Sequence, residues 1–330
     1  MADVGKKVIK EVGKAGKTAA LRVRRLRAAR LTFEQRTEDG ATVSRTFAIV
    51  HKLGEGGYST IWSVRERQPD GAEAEYAVKR VLIDGSDSEQ MALVEGEIAA
   101  MRSMPPHPNV VALLGFCRKA RSGGGGRSSL DEFYMLLEMC SGGSLAGMLQ
   151  QRHAAGAKLR PAESLRIFLD MCHAIAHMHA LDAPLAHRDV KPENFVLSEE
   201  DGMWKLCDFG SATHARPAAP TGLGWLAAPA APDVTCCPRA RAPPPRDRTE
   251  RFQYVEGTSS GAVAEEEERV HRFSTPQYRA PEMCDLRRGD ELGPKVDVWA
   301  LGVTLFKMLH LKDLFGVAGE AAGFNAVHPV

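Results

Sequence analysis

The sequence predicts an α+β fold of two lobes, a strand-rich lobe over residues 46–140 and a helical one over 141–330. Three observations predict it. From Phe47 apolar and polar residues alternate on both sides of a glycine-rich turn, as in strands joined by a hairpin. From Pro161 the apolar residues recur at helical spacing. Between Ala186 and Gly210, a polar loop, His187-Arg188-Asp189-Val190-Lys191-Pro192-Glu193-Asn194, leads into a short hairpin that ends in Asp208-Phe209-Gly210.

A chain of 330 residues is long enough to bury two such cores. Its 43 Lys and Arg balance 42 Asp and Glu, so no global field draws it to nucleic acid. The seven cysteines, at 117, 140, 172, 207, 236, 237 and 284, follow neither an even disulfide framework nor metal-ligand spacing. A reducing, cytoplasmic compartment is the expectation. No apolar run reaches the roughly 18–20 residues of a membrane span, and no secretory signal is read at the start.

Residues 1–45 read as a basic, flexible arm. The first thirty hold ten Lys or Arg against only Asp3 and Glu11. Val4, Val8, Val12, Ala15 and Ala19 recur at helical spacing, so three readings stand: a solvated arm, an amphipathic helix on an anionic membrane, and an Arg-rich transit peptide.

In the strand-rich part, Ile49, Leu53, Ile61, Trp62 and Val64 flank Gly54-Glu55-Gly56-Gly57-Tyr58-Ser59. Glycines let a backbone approach phosphates without a Cβ clash, although the same pattern also suits an ordinary hairpin turn. Tyr76 to Arg80 is a third strand, with Lys79 near its end. After Ser86-Asp87-Ser88, Met91, Val94, Ile98 and Met101 form the apolar stripe of a helix. Glu97 lies on that face, where a buried carboxylate needs a cation, and Lys79 supplies one. Glu95 also has apolar neighbours, and periodicity does not choose between the two. Strands resume over 110–116 and 133–139, separated by a flexible insertion at 121–129 with four consecutive glycines.

In the helical part, Leu165, Phe168, Leu169, Cys172, Ile175 and Ala176 are read as the apolar face of a helix whose first turn holds Pro161 and Glu163. Phe195–Leu197 and Met203–Cys207 are short strands joined at Asp201-Gly202. Residues 214–252, with eight prolines, six arginines and no sustained period, are expected to be a disordered insertion. Order returns at Glu265–Val270, at 273–283 and in a helix over Val296–Gly302.

The spacing within 186–210 carries the chemistry. Folding the hairpin back brings Asp208 beside Asn194 and leaves Asp189 facing them. Carboxylate and amide oxygens are hard ligands, of the kind Mg²⁺ takes together with waters and phosphates. Asp189 is then available to accept a proton.

With Lys79 and Glu97 upstream, Asp189, Lys191, Asn194 and Asp208 resemble the signature set of the eukaryotic protein kinases. The resemblance implies a bilobal kinase fold and transfer of the γ-phosphoryl group of ATP, with Mg²⁺, to a serine or threonine of a protein substrate. Asp189 and Lys191 are then catalytic, with Lys79 held by Glu97 on the phosphates, and Asn194 and Asp208 hold the metal. The nucleotide lies against Leu53, Gly54, Glu55, Gly56, Gly57, Tyr58, Ser59, Ile61, Ala77, Lys79, Leu137, Glu138, Cys140 and Val196. Thr275 positions substrate, while Arg188, Glu282 and Asp297 are structural. Family spacing to His107-Pro108-Asn109 favours Glu97 over Glu95. Arg188 invites an anionic partner, and phosphates on Ser259, Ser260 or Ser274 are the candidates.

The glycine-rich loop, Cys140, Asp208-Phe209-Gly210-Ser211-Ala212-Thr213 and Tyr278-Arg279-Ala280-Pro281-Glu282-Met283 further resemble the Numb-associated kinases. That family implies substrates in membrane traffic and clathrin-adaptor regulation, and a peripheral place at membranes. Helices that follow the Asp297 helix in the family have no recognisable counterpart, so the second lobe is expected to be truncated. The alternative reading is therefore an impaired nucleotide-binding scaffold or an incomplete fragment.

Overall fold

The computed structural model describes residues 30–36, 42–56, 59–85, 87–121, 130–214, 260–288 and 292–315. Expectations for the first 29 residues, Gly57, Tyr58, Ser86, most of the 121–129 insertion, 215–252 and Ser259 lie outside the described residues. Among the described residues, the chain divides into one compact unit of residues 30–88 and 113–139 and a second of 89–112, 140–214 and 260–315.

The first unit is a six-stranded antiparallel sheet. It comprises β1 (Arg30–Arg36), β2 (Thr42–Glu55), β3 (Ser59–Arg67), β4 (Glu73–Asp84), β5 (Leu113–Arg121) and β6 (Leu130–Glu138), in the order β1-β2-β3-β4-β6-β5. β1 corrects the expected arm, because 30–36 and 42–45 pair in register from Arg30↔Ala48 to Arg36↔Thr42. Its anchor is Phe33, buried edge-on against Phe47 at 5.3 Å and Tyr134 at 6.2 Å. These rings join Ile49, Val64, Val78 and Leu136 in one core. Arg45 makes a fork to Glu66, with Nε donating to Oε1 at 2.9 Å and Nη2 to Oε2 at 2.6 Å, while its guanidinium covers Phe47 and Tyr76. The hydrogen bond to Glu66 raises the Arg45 pKa and lowers that of Glu66.

The strand expected over 110–116 begins only at Leu113. Asn109 and Val111 are drawn instead to the second unit: the Val111 N–H donates to the Leu206 carbonyl at 2.9 Å, and the Leu206 N–H to the Asn109 carbonyl at 2.8 Å. The first lobe expected over 46–140 is redrawn accordingly. It starts at 30 among the described residues and yields 89–112.

The second unit holds helices α1 (Ser88–Ser103, its first residue apart), α2 (Leu145–Ala154), α3 (Pro161–His179), α4 (Ser260–Phe273), α5 (Pro281–Cys284) and α6 (Lys295–His310). It also holds two ribbons, β7 (Leu185–Ala186) with β10 (Thr213–His214), and β8 (Phe195–Leu197) with β9 (Trp204–Leu206). The expected insertion therefore starts one residue too early, since His214 pairs with Leu185. α2 is capped by the Ser144 hydroxyl, which accepts from the Gly147 N–H at 3.1 Å.

α3 turns a different face inward from the one its leucines suggest. Leu165 and Leu169 are 63% and 54% exposed, whereas Ile167, Met171, Ala174, Ile175 and Met178 are buried. The outer face carries Leu165 and Leu169 beside the exposed Arg166 and His173, and the polar Asp170 lies on the buried face. Its buried carboxylate accepts the Trp204 N–H at 3.1 Å, which fastens the β8–β9 ribbon to this helix. In that ribbon, the turn residue Gly202 sits at φ +68°, a conformation that costs glycine little.

Candidate active site

The site is built around the loop after β7. Asp189 is 9% exposed, and its carboxylate is held at both oxygens. Oδ1 accepts from the Thr275 N–H at 2.9 Å and the Thr275 hydroxyl at 2.8 Å. Oδ2 accepts from Asn194 Nδ2 at 3.3 Å and pairs with Lys191 Nζ at 2.6 Å. Lys191 also donates to Thr275 Oγ1 at 2.8 Å. The structure thus gathers Asp189, Lys191, Asn194 and Thr275 into one cluster.

The ribbon brings in Asp208. Phe195 pairs with Leu206, and the Cys207 N–H donates to the Asn194 carbonyl at 2.9 Å, so Asp208 follows directly on the residue bonded to Asn194. Asp208 sits at φ +64°, a left-handed conformation that only tight local structure sustains in a non-glycine residue. Glu97, 6% exposed on α1, stands on the same turn. A Cβ placed on Gly210 would lie 3.6 Å from Asp208 Oδ1 and 3.8 Å from Glu97 Oε2. Glu95 is exposed, so Glu97 is the carboxylate that α1 turns inward.

Donor chemistry tests whether Mg²⁺ fits. Asn194 Nδ2 is engaged by the Asp189 carbonyl at 2.8 Å and the Asp189 carboxylate, which makes Oδ1 the amide atom left for a cation. Asn194 Oδ1 and the Asp208 carboxylate are both hard oxygens. Among the described residues no group of three or more His, Cys, Asp or Glu could hold a metal alone. A site completed by phosphate oxygens and water needs no such group.

Beneath the loop lies Asp297 of α6, with 0% exposure. Its Oδ1 accepts the Arg188 N–H at 2.8 Å, and Oδ2 accepts the His187 N–H at 2.8 Å. Oδ2 also lies 2.8 Å from His179 Nε2, which carries the proton because an ionised carboxylate only accepts. Arg188 sits at φ +67°, so these bonds hold the loop in a conformation that its sequence alone disfavours. His187 completes the support. Its Nε2–H donates to the Cys207 carbonyl at 3.2 Å, and its ring meets Phe209 edge-on at 5.3 Å.

Three residues escaped the sequence reading. His179 has no local signal, since its partner is 118 residues away. Glu266 pairs with Arg188, for which the sequence offered only candidate phosphate carriers at Ser259, Ser260 and Ser274; its signal was its place four residues before Val270 and seven before Phe273 on one helical face. Arg279 is buried and donates to the carbonyls of Val270 and His271 at 3.2 Å and of Ser274 at 3.0 Å, closing the C-terminal end of α4. Burial lowers its pKa, and burial pushes that of its neighbour Tyr278 up to about 12.

The remaining expected residues stand as follows. In the second unit, Val196 bridges to Ser144, Cys140 is half-buried, and half-exposed Glu282 has no ion-pair partner among the described residues. In the first unit, Leu53 is 43% exposed, Gly54 pairs with Ile61, and Glu55 is paired with Lys52. The Gly56 N–H donates to the Ser59 carbonyl at 2.8 Å. On β4, Ala77 is buried and Lys79 half-buried; Ala77 stands opposite Leu137, and Tyr76 opposite Glu138.

The family model of the protein kinase domain matches residues 47–230 and 257–328. A probable serine/threonine-protein kinase of Dictyostelium discoideum is 31% identical over 282 residues, covering 86% of this chain and 21% of that protein. A second from the same organism is 34% identical over 271 residues, covering 82% and 28%. The actin-regulating kinase PRK1 of Saccharomyces cerevisiae is 30% identical over 280 residues, covering 84% and 29%. The chain therefore spans less than a third of the length of these relatives. The family match extends over most of the chain and includes every residue of the cluster around Asp189: this chain belongs to the protein kinase domain family.

Proposed function

We propose that the chain is a serine/threonine protein kinase that transfers the γ-phosphoryl group of ATP to a protein hydroxyl. The observation that carries the reading is the Asp189 carboxylate held jointly by Lys191, Asn194 and Thr275, with Asp208 brought in by the adjoining ribbon.

Asp189 orients the substrate hydroxyl and takes its proton, and the hydroxyl takes over the oxygen that Lys191 occupies in this structure. Lys191 then balances charge on the transferred group. Thr275, bonded to both, fixes the distance between them. Asn194 and Asp208 would hold Mg²⁺, which would neutralise charge on the phosphates. By resemblance to the family, Lys79 on β4 takes the role of the lysine for the α and β phosphates, Glu97 that of the carboxylate such a lysine needs, and the glycine-rich sequence after β2 that of the phosphate loop. Lys191, two residues after the base, supports serine and threonine over tyrosine.

Placement among the Numb-associated kinases, with substrates in membrane traffic, is the finer part of the proposal. The run from Asp208 to Thr213 and that from Tyr278 to Met283 support it. The test is incubation of the full chain with Mg-ATP labelled at the γ-phosphate, with a mixed peptide substrate and a clathrin-adaptor subunit side by side. Label is expected on serine or threonine, and faster on the adaptor. Label on tyrosine would overturn the proposed class, and equal labelling of both substrates would overturn the finer placement.

A further inference from the structure

We infer that Glu266 is a positioning residue for phosphoryl transfer: from α4 its carboxylate holds Arg188, and so the Asp189 loop, in the role that a phosphate on this segment would otherwise fill. The inference rests on the reading of Asp189 as the base.

The Arg188 guanidinium is a cation, and the residue is 8% exposed at a left-handed backbone position. A buried cation needs an anion. Glu266, 5% exposed, supplies one through Arg188 Nη2, and Thr213 Oγ1 adds a contact from Nη1 at 3.4 Å. Asp297 thus holds the Arg188 backbone while Glu266 holds its side chain.

α4 has braces of its own. Arg279 closes its C-terminal end, and Arg272 Nη1 lies 3.3 Å from Glu89 Oε1 at the start of α1. Ser274 and Thr275 follow the helix, so one continuous piece grips Arg188 through Glu266 and Asp189 through Thr275. Ser274 is already engaged, with its hydroxyl donating to the Val270 carbonyl at 2.5 Å and accepting from Arg279 Nε at 2.9 Å. The anion at Arg188 is built into the sequence, and the loop is set without an added phosphate.

The experiment uses the full chain treated with phosphatase, with mass measurement to confirm that no phosphate remains. The treated wild type is expected to keep its kcat. Glu266→Gln and Arg188→Gln should each lower kcat roughly 10- to 100-fold with little change in the KM for ATP. The two together should fall well short of the product of the single effects, because they share the Arg188–Glu266 contact. Since a lone buried charge can unfold the chain, Arg188→Met with Glu266→Leu serves as the second variant. It should unfold as cooperatively as the wild type and still have the reduced kcat. Wild-type kcat in that double variant, independent multiplication of the single effects, or loss of activity on phosphatase treatment would overturn the inference. If the wild type transfers no phosphate, the kinase reading fails and amide hydrogen exchange decides the contact. Faster exchange at residues 187–190 in Glu266→Gln supports positioning, and unchanged protection overturns it.

Discussion

Asp189→Asn is expected to lower kcat about 10²–10⁴-fold, the range that a positioned general base contributes. The asparagine has nearly the same shape, and its Oδ1 can still accept from Thr275, so the loop should keep its form. Two things are lost: the lone pair that takes the hydroxyl proton, and the negative charge that holds Lys191 at 2.6 Å. Nucleotide contacts are assigned to other residues, so the KM for ATP should move little. Steady-state kinetics over a range of ATP concentrations check this. A large rise in that KM with kcat preserved would instead give Asp189 a binding role.

Asp297→Ala is expected to be the most damaging change to stability, by about 3–5 kcal/mol, the range for removing one partner of a buried charged network. Three donors lose their acceptor together: the N–H groups of His187 and Arg188, and Nε2 of His179. An unsatisfied buried donor costs about 1–3 kcal/mol, and whole-domain stability is typically only about 5–15 kcal/mol. Arg188 would also lose what holds it at φ +67°. Urea denaturation, read by far-UV circular dichroism, measures the effect. Asp297→Asn keeps one acceptor oxygen but turns an amide donor towards donors, so a smaller loss is expected. A loss below about 1 kcal/mol for the alanine variant, typical of an exposed site, would contradict the anchoring role.

The site was legible where its parts lie close together in sequence. Asp189, Lys191 and Asn194 span six positions of one loop, and the ribbon from Phe195 to Leu206 returns Asp208 by local pairing. Contacts between distant segments left weaker traces. Thr275 reaches Asp189 across 86 positions and was named by resemblance alone. Glu266 was hidden in the acidic run from Glu265 to Glu268, where only the face shared with Val270 distinguishes it.

The fold shows the same division. Leu31 and Phe33 alternate as a strand should, but the basic sequence around them gave the stronger signal, and the arm was drawn through β1. α3 was placed correctly and rotated wrongly. Its exposed Leu165 and Leu169 are as apolar as its buried Ile167 and Met171, and the polar Asp170 on the buried face reads as a surface residue until its partner, the Trp204 N–H, is known. Periodicity left Glu95 and Glu97 open and only family spacing favoured Glu97, because burial of one and exposure of the other depend on what α1 packs against.

Metal-dependent transfer through Asn194 and Asp208 is the central proposal. The deciding measurement is the rate of γ-phosphate transfer from ATP to a serine/threonine substrate by the full chain, with Mg²⁺, with the metal chelated, and with Asp208→Asn. Transfer by the wild type that requires Mg²⁺ and disappears in the variant is the predicted result. Wild-type rates in Asp208→Asn, or equal rates with the metal chelated, would contradict it.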